Sequence, residues 1–178
     1  LLWILGVVAV VIVGVLVAGG ASAQDGHGHG HDGQKSEKAT PTDYADAVRA
    51  IDARTTTPLG LALRGRFLVG SKPVSPDIVR RFVACAAENG IDVFRLHDPL
   101  NDVSNLVEAG EAIVEAGRQL HVGLVYSPGR DGEIDALVAQ ARKVGDVGAS
   151  RVLLNDPTGG LLPHVTQELV ERLREASG

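Results

Sequence analysis

The chain is predicted to be an α/β protein: about four βα units over residues 43–178, preceded by a hydrophobic helix over 1–20 and a His/Gly-rich linker over 21–42. Three observations carry this reading. Short runs rich in Leu, Val and Ile recur about thirty residues apart, LGLAL from 59, DVFRL from 92, HVGLVY from 121 and RVLLN from 151. Each is followed by a stretch of helical periodicity, which is the spacing of a βα unit. The first twenty residues, LLWILGVVAVVIVGVLVAGG, are apolar without interruption. Strand runs this apolar are expected in a parallel sheet covered on both faces. Two architectures accommodate them, a (β/α)8 barrel or an open doubly wound sheet. No Gly-x-Gly-x-x-Gly follows a strand, which disfavours the dinucleotide-binding version. A whole barrel needs roughly 250 residues, so a barrel here would be partial, with open edges that invite an oligomer or a partner.

The apolar run is long enough to cross a bilayer as a helix, and the Ala-Ser-Ala at 21–23 after it fits a signal-peptidase site. A membrane anchor over 1–20 is favoured by its length, a cleaved secretory signal by its end. The expected location is therefore membrane-associated, or secreted after cleavage near Ala23. From Asp25 to Thr42 only Ala39 is apolar, so a flexible tether is expected. His27, His29 and His31 alternate with glycine beside Asp25 and Asp32, a weak site for a transition metal without a preorganised geometry. The chain contains no Met, and its patterns run to both ends, so it is expected to be a fragment of a longer reading frame.

In the first unit, LGLAL is followed by the loop RGRFLVGSKP and a helix from Ser75, a capping residue, with Pro76 in its first turn and Asn89-Gly90 at its end. Cys85, the single cysteine, excludes an internal disulfide and is expected as a small buried thiol on that helix. The second helix runs from Asp102 to Gly117. In the third, Ile134, Leu137, Val138, Ala141 and Val144 form a buried stripe at spacings of three and four. The last follows Thr166, with Leu169, Val170 and Leu173 as its apolar stripe.

Ligands of both architectures bind at the carboxyl ends of the strands. Those ends carry Arg64, His97-Asp98, Tyr126-Ser127 and Asn155-Asp156. A cation, a His-Asp pair, a phenol and an acid on one rim suit a small carboxylate, which Arg64 could hold with two parallel hydrogen bonds. Each residue also has an ordinary role: Asp98 and Asp102 as helix caps, His97 as a surface imidazole, Tyr126 as rim packing. With 22 acids against 17 bases and 3% aromatics, nucleic acid binding is excluded as an expectation.

The stretches GIDVFRLHDPLNDVSNL (90–106) and NDPTGGLLP (155–163) closely resemble the carboxyltransferase barrel of biotin-dependent enzymes, and LALRGRFLVGSKP (61–73) resembles the arginine-glycine loop of the same family. Its members include the oxaloacetate decarboxylase α-subunit, the carboxyltransferase domain of pyruvate carboxylase and the pyruvate subunit of transcarboxylase. The resemblance covers about residues 44–178. It implies a partial (β/α)8 TIM barrel, a pyruvate or oxaloacetate substrate on a divalent metal, and biotin brought by a separate carrier protein or domain. Arg64 matches the substrate-binding arginine, and Asp98 and Asn101 match rim positions. Asp156, Gly159 and Pro163 match the run after the family's metal-bridging lysine.

The departures matter as much. Asn155 stands where the family has the lysine that becomes carbamylated, and an amide cannot form a carbamate. The strand with the family's aspartate ligand is not recognisable, and the histidine pair would lie beyond residue 178. His97 replaces a phenylalanine-like position, and Ser71 a loop tyrosine. The expectation is a carboxyltransferase-type fragment, impaired as an isolated chain, with Asn155 and Asp156 at the degenerate catalytic position and Tyr126 at the rim. The alternatives are a non-catalytic module docking on a related barrel or carrier, or another aldolase-type barrel lyase or synthase.

Overall fold

A computed structural model describes Ala9–Val10 and residues 41–129 and 132–177. Its elements are β1 (Ala9–Val10), α1 (Pro41–Asp52), β2 (Leu59–Leu63), α2 (Pro76–Glu88), β3 (Ile91–His97), α3 (Val107–Glu115), β4 (Gln119–Val125), α4 (Glu133–Asp146), β5 (Arg151–Asn155) and α5 (Pro163–Ser177). Single 3-10 turns at Gly65–Phe67 and Val103–Asn105 lie in the loops after β2 and β3. The sheet is parallel throughout, and its order is the chain order, β1-β2-β3-β4-β5. Each strand adds to the same edge and the order never reverses. A doubly wound sheet needs such a reversal at its ligand crevice, so the winding is that of a barrel.

The two faces of the sheet differ in chemistry. Side chains alternate along a strand, and on one face Leu61, Leu63, Phe94, Leu96, Leu120, Val122 and Leu124 are all buried. They form one core with Val79 and Val83 of α2, Ile113 of α3, Leu137 and Ala141 of α4, and Leu169 and Leu173 of α5. Fully burying a side chain such as Phe94 or Leu96 contributes about 1.5–3 kcal/mol, so this layer is what holds the helices on the sheet. The opposite face is the concave, lumen side of a barrel. There the register sets Ala62, Arg95, His121 and Arg151 abreast, then His97, Gly123 and Leu153, then Val125 and Asn155. Strands that read as evenly apolar thus carry a polar face at alternate positions.

Charged side chains lace the helices together outside the core. Arg80 of α2 pairs with Glu108 and Glu115 of α3 at 2.9 and 3.2 Å, and Arg172 of α5 with Asp135 of α4 at 2.6 Å. These are exposed pairs and contribute little individually.

Several expectations are corrected. In the apolar run, Ala9–Val10 is extended and pairs with Leu59 and Gly60 rather than being helical; the edge of β2 offers open backbone groups that a strand satisfies. Among the described residues no helix is long and apolar enough to cross a membrane, and the rest of 1–20 lies outside them, as do His27, His29 and His31. Helix α1 begins inside the stretch assigned to the linker, with Pro41 in its first turn. Its Val48 is buried, and Arg49 bonds Asp46 and Asn89. Cys85 is exposed: the inward stripe of α2 is Val79, Val83 and Ala87, and Cys85, two positions from Val83, turns about 200° away. Val170 is 43% exposed while Leu169 and Leu173 are buried. α5 starts at Pro163, so Thr166 lies inside the helix and bonds back to the Leu162 carbonyl.

Candidate functional site on the lumen face

The loop after β2 is built to hold Arg64 still. The Arg64 N–H donates to the Leu68 carbonyl at 2.7 Å, and Phe67 and Leu68 close the turn on the Arg64 and Gly65 carbonyls. Gly65 adopts φ +55°, and a Cβ there would come within 2.2 Å of the Asn105 carbonyl. Only glycine permits that backbone to lie so close to the loop after β3. The Arg64 guanidinium lies 5.9 Å from the Phe67 ring, within cation–π range, and reaches the Gly70 carbonyl at 3.5 Å. Its Nε is buried without a partner.

His97 ends β3 beside it. Burial, then the charges of Arg64 and Arg95, lower its pKa against the opposing pull of Asp98. Asn155 ends β5 on the same face. Its Oδ1 accepts a hydrogen bond from Arg95 Nη2. Its Nδ2 lies 2.6 Å from where a Cβ on Gly123 would stand, and His97 Cβ is 3.5 Å from that point. The missing side chain at Gly123 is therefore the space the Asn155 amide fills. Arg64, His97, Gly123, Asn155 and Arg95 make one connected patch at the carboxyl ends of β2 to β5. The Asn155 amide at the tip of β5 thus turns into the lumen and accepts from a guanidinium.

The acids next to these strand ends do something else. Asp98 is 7% exposed. Its Oδ1 accepts from the N–H groups of Leu100 and Asp102 at 2.8 and 3.1 Å, and its Oδ2 from Asn105 Nδ2 at 3.1 Å. Asp156 repeats the device after β5, accepting from the N–H groups of Leu161 and Gly160 and the Thr158 hydroxyl at 2.8, 3.2 and 3.0 Å. The Leu161 N–H foremost, with the Thr158 hydroxyl, lowers the Asp156 pKa. Both carboxylates fold their own loops. Asn101, with φ +59°, clamps the end of β4: its Nδ2 donates to the Val125 carbonyl at 2.8 Å and its Oδ1 accepts from the Val125 N–H at 2.7 Å. Tyr126 is buried in the core and borders a cavity of about 410 Å³ with Glu133, Ile134, Val165 and Arg172 of α4 and α5, on the helix side of the sheet.

Of the residues singled out in the sequence, then, Arg64 lies beside His97 and Asn155 beside Arg95 and Gly123, whereas Asp98, Asn101 and Asp156 organise the loops and Tyr126 faces the helices. Sequence reasoning misses Arg95 and His121. The signal for both is present in the sequence: a charged or titratable residue in the middle of an apolar strand, in step with the polar strand end.

The divalent metal implied by the resemblance needs carboxylate, imidazole or carbamate donors. The lumen patch offers two guanidiniums, an amide and a histidine held among arginines. Among the described residues no three His, Cys, Asp or Glu side chains come together to hold an ion. This donor set does not fit a divalent cation.

No family model matches the chain. Curated proteins do. A pyruvate carboxylase subunit of Methanocaldococcus jannaschii is 38% identical over 131 residues, covering 73% of this chain and 23% of that protein. The 2-oxoglutarate carboxylase large subunit of Hydrogenobacter thermophilus is 32% identical over 130 residues, 73% of this chain and 20% of that one. The methylmalonyl-CoA carboxyltransferase 5S subunit of Propionibacterium freudenreichii is 31% identical, covering 67% and 24%. Among solved structures, the carboxyl transferase domain of Rhizobium etli pyruvate carboxylase with pyruvate and biocytin superposes with a TM-score of 0.70 at 28% identity, over 75% of this chain and 24% of that one. The chain thus spans about a quarter of the length of the relatives it matches. By sequence and by fold, these parallel βα units are a partial TIM barrel homologous to part of the carboxyltransferase domain of pyruvate carboxylase and its relatives.

Proposed function

We propose that this chain is part of a biotin-dependent carboxyltransferase acting on a small keto acid of the pyruvate or oxaloacetate type, with biotin brought to the mouth by a separate carrier. The observation that carries this reading is Arg64 held at the end of β2 beside His97, within a fold homologous to a domain that has been solved with pyruvate and biocytin. Arg64 holds the substrate carboxylate, its guanidinium fixed by the Gly65 turn and the Phe67 ring. His97, with its lowered pKa, stays neutral near pH 7 and offers a hydrogen bond rather than a second charge. Asn155 holds Arg95 in place through its amide oxygen.

The same contact accounts for the altered chemistry. An uncharged acceptor at 155 suits the Arg95 guanidinium. A lysine there would set an ammonium against it, a repulsion relieved only when the amine becomes a carbamate anion. With an amide in that place the anionic ligand cannot form, and the isolated chain binds and orients its substrate without the Lewis acid that activates it in the family. The test is Asn155→Lys in the full-length protein, incubated with bicarbonate and zinc or manganese. The variant is expected to retain tightly bound metal that the parent does not. Equal metal content and equal oxaloacetate decarboxylation in the two would overturn the carbamate argument.

A further inference from the structure

One row of lumen residues lies beneath the patch and shares only Arg95 with it. The register sets Arg95, His121 and Arg151 abreast on three neighbouring strands. His121 is four residues short of the end of β4, and Arg151 opens β5. His121 is 7% exposed, and its Nε2 is buried with no hydrogen-bond partner. A buried polar atom left unpaired costs about 1–3 kcal/mol, and this one belongs to a residue flanked by arginines on both neighbouring strands. No acid occupies a lumen-facing position of β2 to β5. Among the described residues neither Arg95 nor Arg151 forms an ion pair. Burial first, then the charges of Arg151 and Arg95, keep the imidazole pKa below its usual value. A row of two cations around an unsatisfied imidazole nitrogen lacks one thing, a negative charge with oxygen acceptors.

We propose that Arg95, His121 and Arg151 form a binding site for a small oxyanion, a carboxylate or a phosphate, held between the two guanidiniums with His121 Nε2 as the central donor. Charge-assisted bonds from arginine to such oxygens are the strong ones, and the anion turns the neighbouring arginines from a penalty on the imidazolium into part of its setting. Binding therefore takes up a proton at His121. The site shares Arg95 with the keto-acid reading, but His121 and Arg151 lie a layer below Arg64 and contribute nothing to its loop, so variants at these two positions test the row apart from that reading.

Inorganic phosphate is the probe, titrated into the full-length protein in a phosphate-free organic buffer. Calorimetry follows binding, and the imidazole resonances of His121 followed against pH report its pKa. Saturating phosphate is expected to raise the His121 pKa by about a unit or more, and Arg151→Gln or His121→Gln to weaken phosphate binding about tenfold or more. An unshifted His121 in wild-type protein with phosphate present overturns the proposal even if the variants fail to fold. So does a His121 that already titrates above the usual imidazole value before any anion is added, the result expected if a carboxylate elsewhere in the polypeptide fills the row. Oxalate in place of phosphate distinguishes a site selective for carboxylates from one that takes either oxyanion, and binding of neither ends the proposal.

Discussion

Asn101 offers the sharpest test of how the mouth is built, because two roles predict different outcomes. A residue that only lines a rim can be truncated with little effect on folding. The observed Asn101 makes two short hydrogen bonds to one backbone unit, the Val125 N–H and carbonyl, and sits at φ +59°. Asn101→Ala removes both bonds, each contributing about 1 kcal/mol net, and puts a Cβ without a compensating side-chain bond in the left-handed region, at about 1 kcal/mol more. The expected loss is about 3 kcal/mol. Asn101→Gly loses the same bonds and escapes the steric part, so it should be less destabilising than alanine by about 1 kcal/mol. With a urea m-value of about 2 kcal/mol/M, the midpoints should fall by about 1.5 M and 1 M. Equilibrium urea unfolding followed by far-UV circular dichroism measures both. If alanine and glycine shift the midpoint by the same small amount, under about 0.3 M, the clamp does not secure the β3 loop to β4 and the two hydrogen bonds do not hold the mouth together.

Other consequences are direct. Phe94→Ala should cost about 3–5 kcal/mol, since Phe94 is fully buried under the helices; a loss below 1 kcal/mol would mean the core is not formed as described. Cys85 is exposed, so a thiol reagent should label the native protein at a rate that added urea hardly changes; labelling only on unfolding would restore the buried thiol. The two lumen histidines give stability a sign against pH. Both have pKa values lowered in the fold, His97 by burial, Arg64 and Arg95 and His121 by burial, Arg151 and Arg95. The unfolded chain therefore takes up protons as pH drops through about 6.5 while the folded chain does not. In phosphate-free buffer the unfolding midpoint should be flat from pH 8 to 7 and fall between pH 6.5 and 5, less steeply in His121→Gln. A midpoint that climbs through that window would contradict the burial of both rings.

Much of the fold was legible in one dimension. LGLAL and RVLLN match β2 and β5 as observed, because a short apolar run bounded by Pro, Gly and Asn has few other places to go. The helices were placed by Ser75-Pro76, Asn89-Gly90 and the stripe from Leu137 to Val144, local signals that depend on the chain's own backbone and on one buried face. What failed locally failed for tertiary reasons. The apolar run at 1–20 reads as a helix by hydropathy alone, and only the open edge of β2 supplies the partner that makes Ala9–Val10 a strand. Cys85 looked buried because it is small and set among apolar neighbours, but burial on a helix is decided by angle, and its angle points outward.

For the site the division is sharper. Sequence by itself determined which residue types stand at the strand ends, among them an amide at 155. It could not say which of those polar groups face the lumen, because that depends on where each strand stops relative to its neighbours. Register across β3, β4 and β5 decided that Arg95 answers Asn155 and that Arg95, His121 and Arg151 share a row. Loop closure decided that Asp98 and Asp156 spend their oxygens on the N–H groups and side chains of their own turns, since the backbone donors that a tight turn leaves without a ladder partner take the nearest acceptor.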